Sequence, residues 1–102
     1  MARYYLVTES KGPAWDHSRQ RREQVGWDEH AAFMDVLADD GFAVLGGPVG
    51  GDHGDDVLLV VEAEDEDAVR DRLAEDPWAE SVLTIASVQP WSVWLRGRSL
   101  AR

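Results

Sequence analysis

Hydrophobic and polar positions recur along this chain with two different periods, and the periods divide it into six elements. Tyr4–Thr8 is aromatic and branched, and it predicts a first strand. Trp27–Asp40 repeats at steps of three and four: Trp27, His30, Ala31, Met34, Leu37 and Ala38 share one helical face, and Gly41 ends the helix. Asp28 and Glu29 fall in its first turn, where the helix dipole favours acids. Phe42–Leu45 predicts a second strand, and the nearly continuous apolar run Val57–Ala63 a third, centrally placed one. Glu64-Asp65-Glu66-Asp67 opens a second helix with Ala68, Val69 and Leu73 on its inner face, and Pro77 stops it. Ser81–Trp94 reads as a long last strand, broken or bulged near Pro90.

The order β-α-β-β-α-β predicts an α+β, ferredoxin-like fold: a four-stranded antiparallel sheet with two helices on one face. Glu9–Gln24 is a long polar connection carrying Gly12, Pro13 and Ser18-Arg19-Gln20-Arg21-Arg22, with room for a helical turn. Two helices cover one face of such a sheet. The other face should display several of Tyr4, Leu6, Leu58, Val60, Leu83 and Ile85, an apolar surface that rarely stays bare on a monomer. A homodimer formed through the sheet face would bury it.

Length and charge narrow the picture. A chain of 102 residues suits a single domain (1–102), with a core over about 3–94 and a basic, solvated tail over 95–102. Twenty acidic residues against ten Lys and Arg give a net charge of −10, which repels phosphate backbones and anionic membrane surfaces. Neither nucleic acid nor a membrane is therefore an expected partner. There is no Cys, no signal-peptide pattern and no apolar run of transmembrane length, so the cytoplasm is the expected compartment.

His30 is the most suggestive residue for chemistry. An imidazole on the apolar face of a helix points inward, and a nearby carboxylate would fix its tautomer and raise its basicity. The plainer alternative is a satisfied structural histidine. Asp76, in Asp76-Pro77-Trp78, has a carboxylate aimed by a fixed turn, or is an ordinary turn aspartate. Asp52, His53, Asp55 and Asp56 form an acidic cluster in a Gly-rich connection without a scaffold, and a solvated turn is expected there rather than a metal site. The glycines at 46, 47, 50, 51 and 54 lack the Gly-Lys-Ser/Thr of a phosphate loop. Neither a metal nor a cofactor is expected. Trp27, Trp78 and Trp15 would wall an apolar pocket, with Gly47 and Pro48 shaping its rim.

From Tyr4 to Trp94 the chain resembles the YCII-related (YciI-like) family of dimeric α/β-barrel proteins. Four features carry the resemblance in order: the opening strand Tyr4-Tyr5-Leu6-Val7, His30 within Glu29-His30-Ala31-Ala32-Phe33-Met34, the turn leading to Gly47-Pro48, and Asp76-Pro77-Trp78. The resemblance implies a ferredoxin-like fold that dimerises through its sheet, and a site centred on His30 and Asp76. Some relatives are dehydrochlorinases of chlorinated aromatic compounds, and similar barrels include muconolactone isomerases. It therefore implies a lyase or isomerase that moves a proton on a small cyclic or aromatic substrate; the alternative is a non-catalytic dimeric module binding a small ligand or a protein. The chain departs from many relatives in its long Trp- and Arg-containing loop before the first helix, and in Asp55 and Asp56 where relatives often carry a serine.

Overall fold

Six elements form in the predicted order. The computed structural model describes residues 3–100, so Met1, Ala2, Ala101 and Arg102 lie outside the described residues, and with them the end of the basic tail. Strand β1 spans Arg3–Lys11, helix α1 Trp27–Asp39, β2 Ala43–Pro48, β3 Val57–Ala63, α2 Glu66–Leu73 and β4 Leu83–Trp91. The strands make one antiparallel sheet in the order β2-β3-β1-β4, an α+β ferredoxin-like arrangement.

Period-two alternation decides which side chains meet the helices. Across the sheet, Val61-Tyr5-Pro90, Leu59-Val7-Val88 and Val57-Glu9-Ile85 are cross-strand rows on the covered face. Leu37 of α1 and Val69 and Leu73 of α2 pack on that face with Tyr5, Val7, Leu59, Val61 and Val88. Leu37 is fully buried, and burying a side chain of that size stabilises by about 1.5–3 kcal/mol. The opposite face carries the rows Glu62-Tyr4-Trp91, Val60-Leu6-Gln89 and Leu58-Thr8-Ser87.

Leu83 and Ile85 are not on that open face, contrary to the expectation from alternation. The register of β1 with β4 shifts between Thr8 and Glu9: Thr8 faces Ser87 while Glu9 faces Ile85, so Ala86 is the extra residue of a bulge. A bulge inverts the alternation beyond it. Leu83 is buried with Trp15, Trp78 and Val82, and Ile85 packs against the main core. The irregularity is thus at Ala86, and Pro90 continues in β4, an edge strand that has a neighbour only on one side.

Local chemistry sets the helix ends. Gly26 starts α1 in the left-handed region at φ 82°, which favours glycine. The Asp65 carboxylate accepts the Ala68 N–H at 2.8 Å and caps α2, a contact worth about 1 kcal/mol. In the long connection, which begins only at Gly12, the buried Gln24 amide accepts from the Asp16 N–H at 2.9 Å and donates to the Asp16 and Arg19 carbonyls at 2.8 and 3.0 Å. A 3-10 turn at Arg21–Glu23 completes it. The tail is not wholly solvated: Arg96 donates to the Tyr4 hydroxyl, and its guanidinium lies 5.0 Å from the Tyr4 ring centroid. Trp94 and Leu95 remain about nine-tenths exposed, at 90% and 91%. Among the described residues no helix is long and apolar enough to cross a membrane.

Candidate active site

His30 lies one turn into α1, with its N–H bonded to the Gly26 carbonyl at 3.0 Å. The helical face that buries Leu37 also turns this imidazole inward, where it is 7% exposed. Asp76 follows α2 in a tight turn and is equally buried. One of its oxygens accepts the Trp78 N–H at 2.9 Å, the two-residue side-chain-to-backbone turn that aspartate favours. The same carboxylate faces His30, with Nδ1 at 2.8 and 2.9 Å from its two oxygens. An ionised carboxylate only accepts, so Nδ1 carries the hydrogen and donates. In the neutral ring this leaves the lone pair on Nε2.

Trp78 fixes the plane of that ring. Its indole stacks on the imidazole with centroids 4.0 Å apart and planes 9° apart. The indole N–H donates to the Val25 carbonyl at 2.8 Å, so the stacking partner is itself tethered to the loop before α1. Trp27 lies beside both rings at a tilt, with its centroid 5.8 Å from His30 and 5.7 Å from Trp78. The histidine is thereby held by one hydrogen bond and one stacking face, with two rotatable bonds locked.

Nε2, on the ring edge opposite Nδ1, has no hydrogen-bond partner among the described residues. His30 lines a cleft of about 330 Å³ between α1 and β2. Trp27, Gly47 and Pro48 line it too, along with Met34 and Leu45. Three of the residues named from sequence sit elsewhere. Asp76 lies behind the imidazole, and Trp78 is 1% exposed and backs the ring instead of walling the cleft. Trp15 is buried with Trp78, Val82 and Leu83.

Among the ionisable residues that line the cleft, the sequence reading missed Glu9, Arg21 and Asp35. Glu9 projects from β1 onto the covered face and is 5% exposed. Burial pushes its carboxyl up to about 7, nearby Asp76 and Glu80 push the same way, and the Arg21 guanidinium opposes them. The signal was available: Tyr5, Val7 and Glu9 continue one period-two row once the strand is carried past Thr8. Arg21, from the loop's 3-10 turn, also lines the cleft. No hydrophobic period marks it, because its place depends on how the loop folds.

Outside the cleft, Asp55 of the acidic connection accepts from Lys11 Nζ at 2.8 Å, which holds its carboxyl below the usual range. Among the described residues no group of three His, Asp or Glu is arranged to hold a metal ion.

A family profile for the YCII-related domain matches residues 4–92. The chain belongs to the YCII-related domain family. No curated protein matches it. The span matched to the YCII-related domain holds both helices and nearly all of the sheet, and it contains Glu9, Arg21, His30 and Asp76. Trp94, Leu95 and the arginines that follow fall beyond the YCII-related span.

Proposed function

We propose that this YCII-related protein is a lyase or isomerase whose His30 transfers a proton on a small cyclic or aromatic substrate held in the cleft. One observation carries the reading: the imidazole is bonded through Nδ1 to a buried carboxylate, its Nε2 has no partner among the described residues, and His30 lines a cleft. Nε2 takes a proton from an acidic carbon of the substrate. The electron pair left behind either expels a leaving group such as chloride, forming a double bond, or shifts along the ring and is reprotonated at a second carbon by the imidazolium. Asp76 keeps Nδ1–H pointed away from the cleft and offsets the positive charge while the proton is held. A positioned acid–base group of this kind contributes roughly 10²- to 10⁴-fold in rate. The cleft volume of about 330 Å³ is at the small end of ligand sites.

The open sheet face is the proposed homodimer surface. Leu6, Val60 and Leu58 lie on it beside Tyr4 and Trp91, and a second copy would bury that patch by a two-fold contact.

Turnover tests the proposal. Chloride release from chlorinated hydroxyaromatics and double-bond migration in unsaturated lactones are followed for wild type and His30→Ala. The reading expects conversion of a member of this panel by wild type and a loss of about 10²-fold or more in the variant. A folded variant with undiminished rate refutes it. A variant that loses stability, beside a wild type that binds ligands but turns nothing over, returns the cleft to a non-catalytic binding module.

A further inference from the structure

The loop before α1 brings a cation to the cleft whose bonding is incomplete. Arg21 lies over Trp15, with its guanidinium carbon 5.2 Å from the ring centroid. One terminal nitrogen, Nη2, donates to the Gly54 carbonyl at 2.9 Å. Nε and Nη1 are buried and have no acceptor among the described residues. Buried donors are nearly always paired, and a charged one left unpaired is costly.

Glu9 does not fill the gap. It lines the same cleft, yet among the described residues it forms no hydrogen bond or ion pair with Arg21. Its burial among Val57 and Ile85 favours the neutral carboxyl, so near neutrality a large fraction of the molecules offer Arg21 no counter-charge from Glu9. The cation therefore has a half-buried position, an aromatic backing and two unpaired donors at a cleft whose wall also carries Trp27, Met34, Leu45 and one further acid, Asp35.

We propose that Arg21 recognises a carboxylate on the ligand, so that the cleft takes small cyclic or aromatic acids in preference to neutral rings. The inference rests on reading the cleft as a substrate site. A carboxylate supplies the acceptors the guanidinium lacks and can pair with two of its N–H groups at once. The empty-cleft position of Arg21 is closed against Trp15, and engagement turns this loop side chain toward the ligand. With the acid group anchored at Arg21, the ring lies along Trp27 and Met34, and a ring carbon comes to Nε2 of His30.

NMR titration of the whole chain near pH 6 tests this with two probes that share a ring, benzoate and benzamide. The expected result is a saturable shift of the Arg21 Nε–H signal and of cleft-lining amides with benzoate, at an affinity about tenfold or more above that for benzamide. Arg21→Gln should reduce benzoate to the benzamide level. Arg21→Lys, which keeps the charge and loses the planar fork, should fall between them. Equal affinity for the two probes, no saturable shift with benzoate, or an unchanged benzoate affinity in folded Arg21→Gln would overturn the proposal. His30→Ala, titrated in parallel, separates this from the catalytic reading: it should keep the benzoate preference even where turnover is lost.

Discussion

Glu9→Gln should remove a distinct part of the protein's pH-dependent stability. The Glu9 carboxyl is 5% exposed in a row between Val57 and Ile85. Burial first, and then the Asp76 charge, raise it from 4.5 to about 7, against the opposing pull of Arg21. Between those two values the folded chain holds a proton that the unfolded chain has released. The native state binds more protons there, so stability falls as pH rises from about 4.5 to about 7 and levels off above that. At about 1.4 kcal/mol for each tenfold change in proton affinity, the loss attributable to Glu9 is roughly 3 kcal/mol. Glutamine has the shape of the protonated acid and cannot ionise. Urea unfolding of wild type and Glu9→Gln across this pH range cancels the titration of the other acids, which is common to both. The stability of the variant relative to wild type should rise by roughly 3 kcal/mol between pH 4.5 and pH 8. Parallel curves would show that Glu9 titrates as an ordinary surface acid, and the account of its burial would fail.

Other consequences are as direct. Asp76→Asn should mix the neutral tautomers of His30, because an amide can accept from the ring or donate to it; nitrogen-15 NMR of the imidazole reads this, and a single unchanged Nδ1–H tautomer would contradict the pairing. Gly12→Ala would put a Cβ 2.2 Å from the Ser81 carbonyl oxygen, where the Gly12 and Ala14 N–H groups bind the chain to Val82 and Ser81 at 2.8 Å. Such overpacking against backbone should cost about 1–3 kcal/mol in urea unfolding, and an unshifted midpoint would argue against that close approach. Leu37→Ala should cost about 2–5 kcal/mol by the same measurement, and a change under about 1 kcal/mol would mean that α1 does not seal the core.

The sequence was most legible where one period ran without interruption. Val57–Ala63 forms a strand with the predicted ends, because its apolar run is bounded by acidic residues on both sides. The first helix was fixed almost as well by its three-and-four spacing and by Gly41, which adopts φ 84° just beyond it. Legibility failed where a single residue changed the count. The Ala86 bulge turned Leu83 and Ile85 to the covered face, and no composition cue distinguishes a bulge there from one at Pro90. It also failed where a polar residue continued an apolar row, as Glu9 does.

For the site, periodicity could say that His30 faces inward, but not what it meets. Its partner is 46 residues away, and the 2.8 Å contact exists because α1 and the turn after α2 converge beneath the same sheet face. Trp78 was expected to wall a cleft and instead stacks on His30, since an aromatic next to Asp76 can do either with the same sequence. Arg21 was out of reach, because the hydrogen bonds that fold its loop converge on one side chain, Gln24.

Proton transfer at Nε2 of His30 is the central claim, and deuterium wash-in measures it without requiring net turnover. A panel of small cyclic and aromatic acids with acidic C–H bonds is incubated with the protein in heavy water, and label is followed by mass spectrometry. The account predicts label in at least one compound with wild type, at a rate about 10²-fold or more above that with His30→Ala. Wash-in that is equal for the two proteins, or absent from the whole panel with wild type, would contradict it.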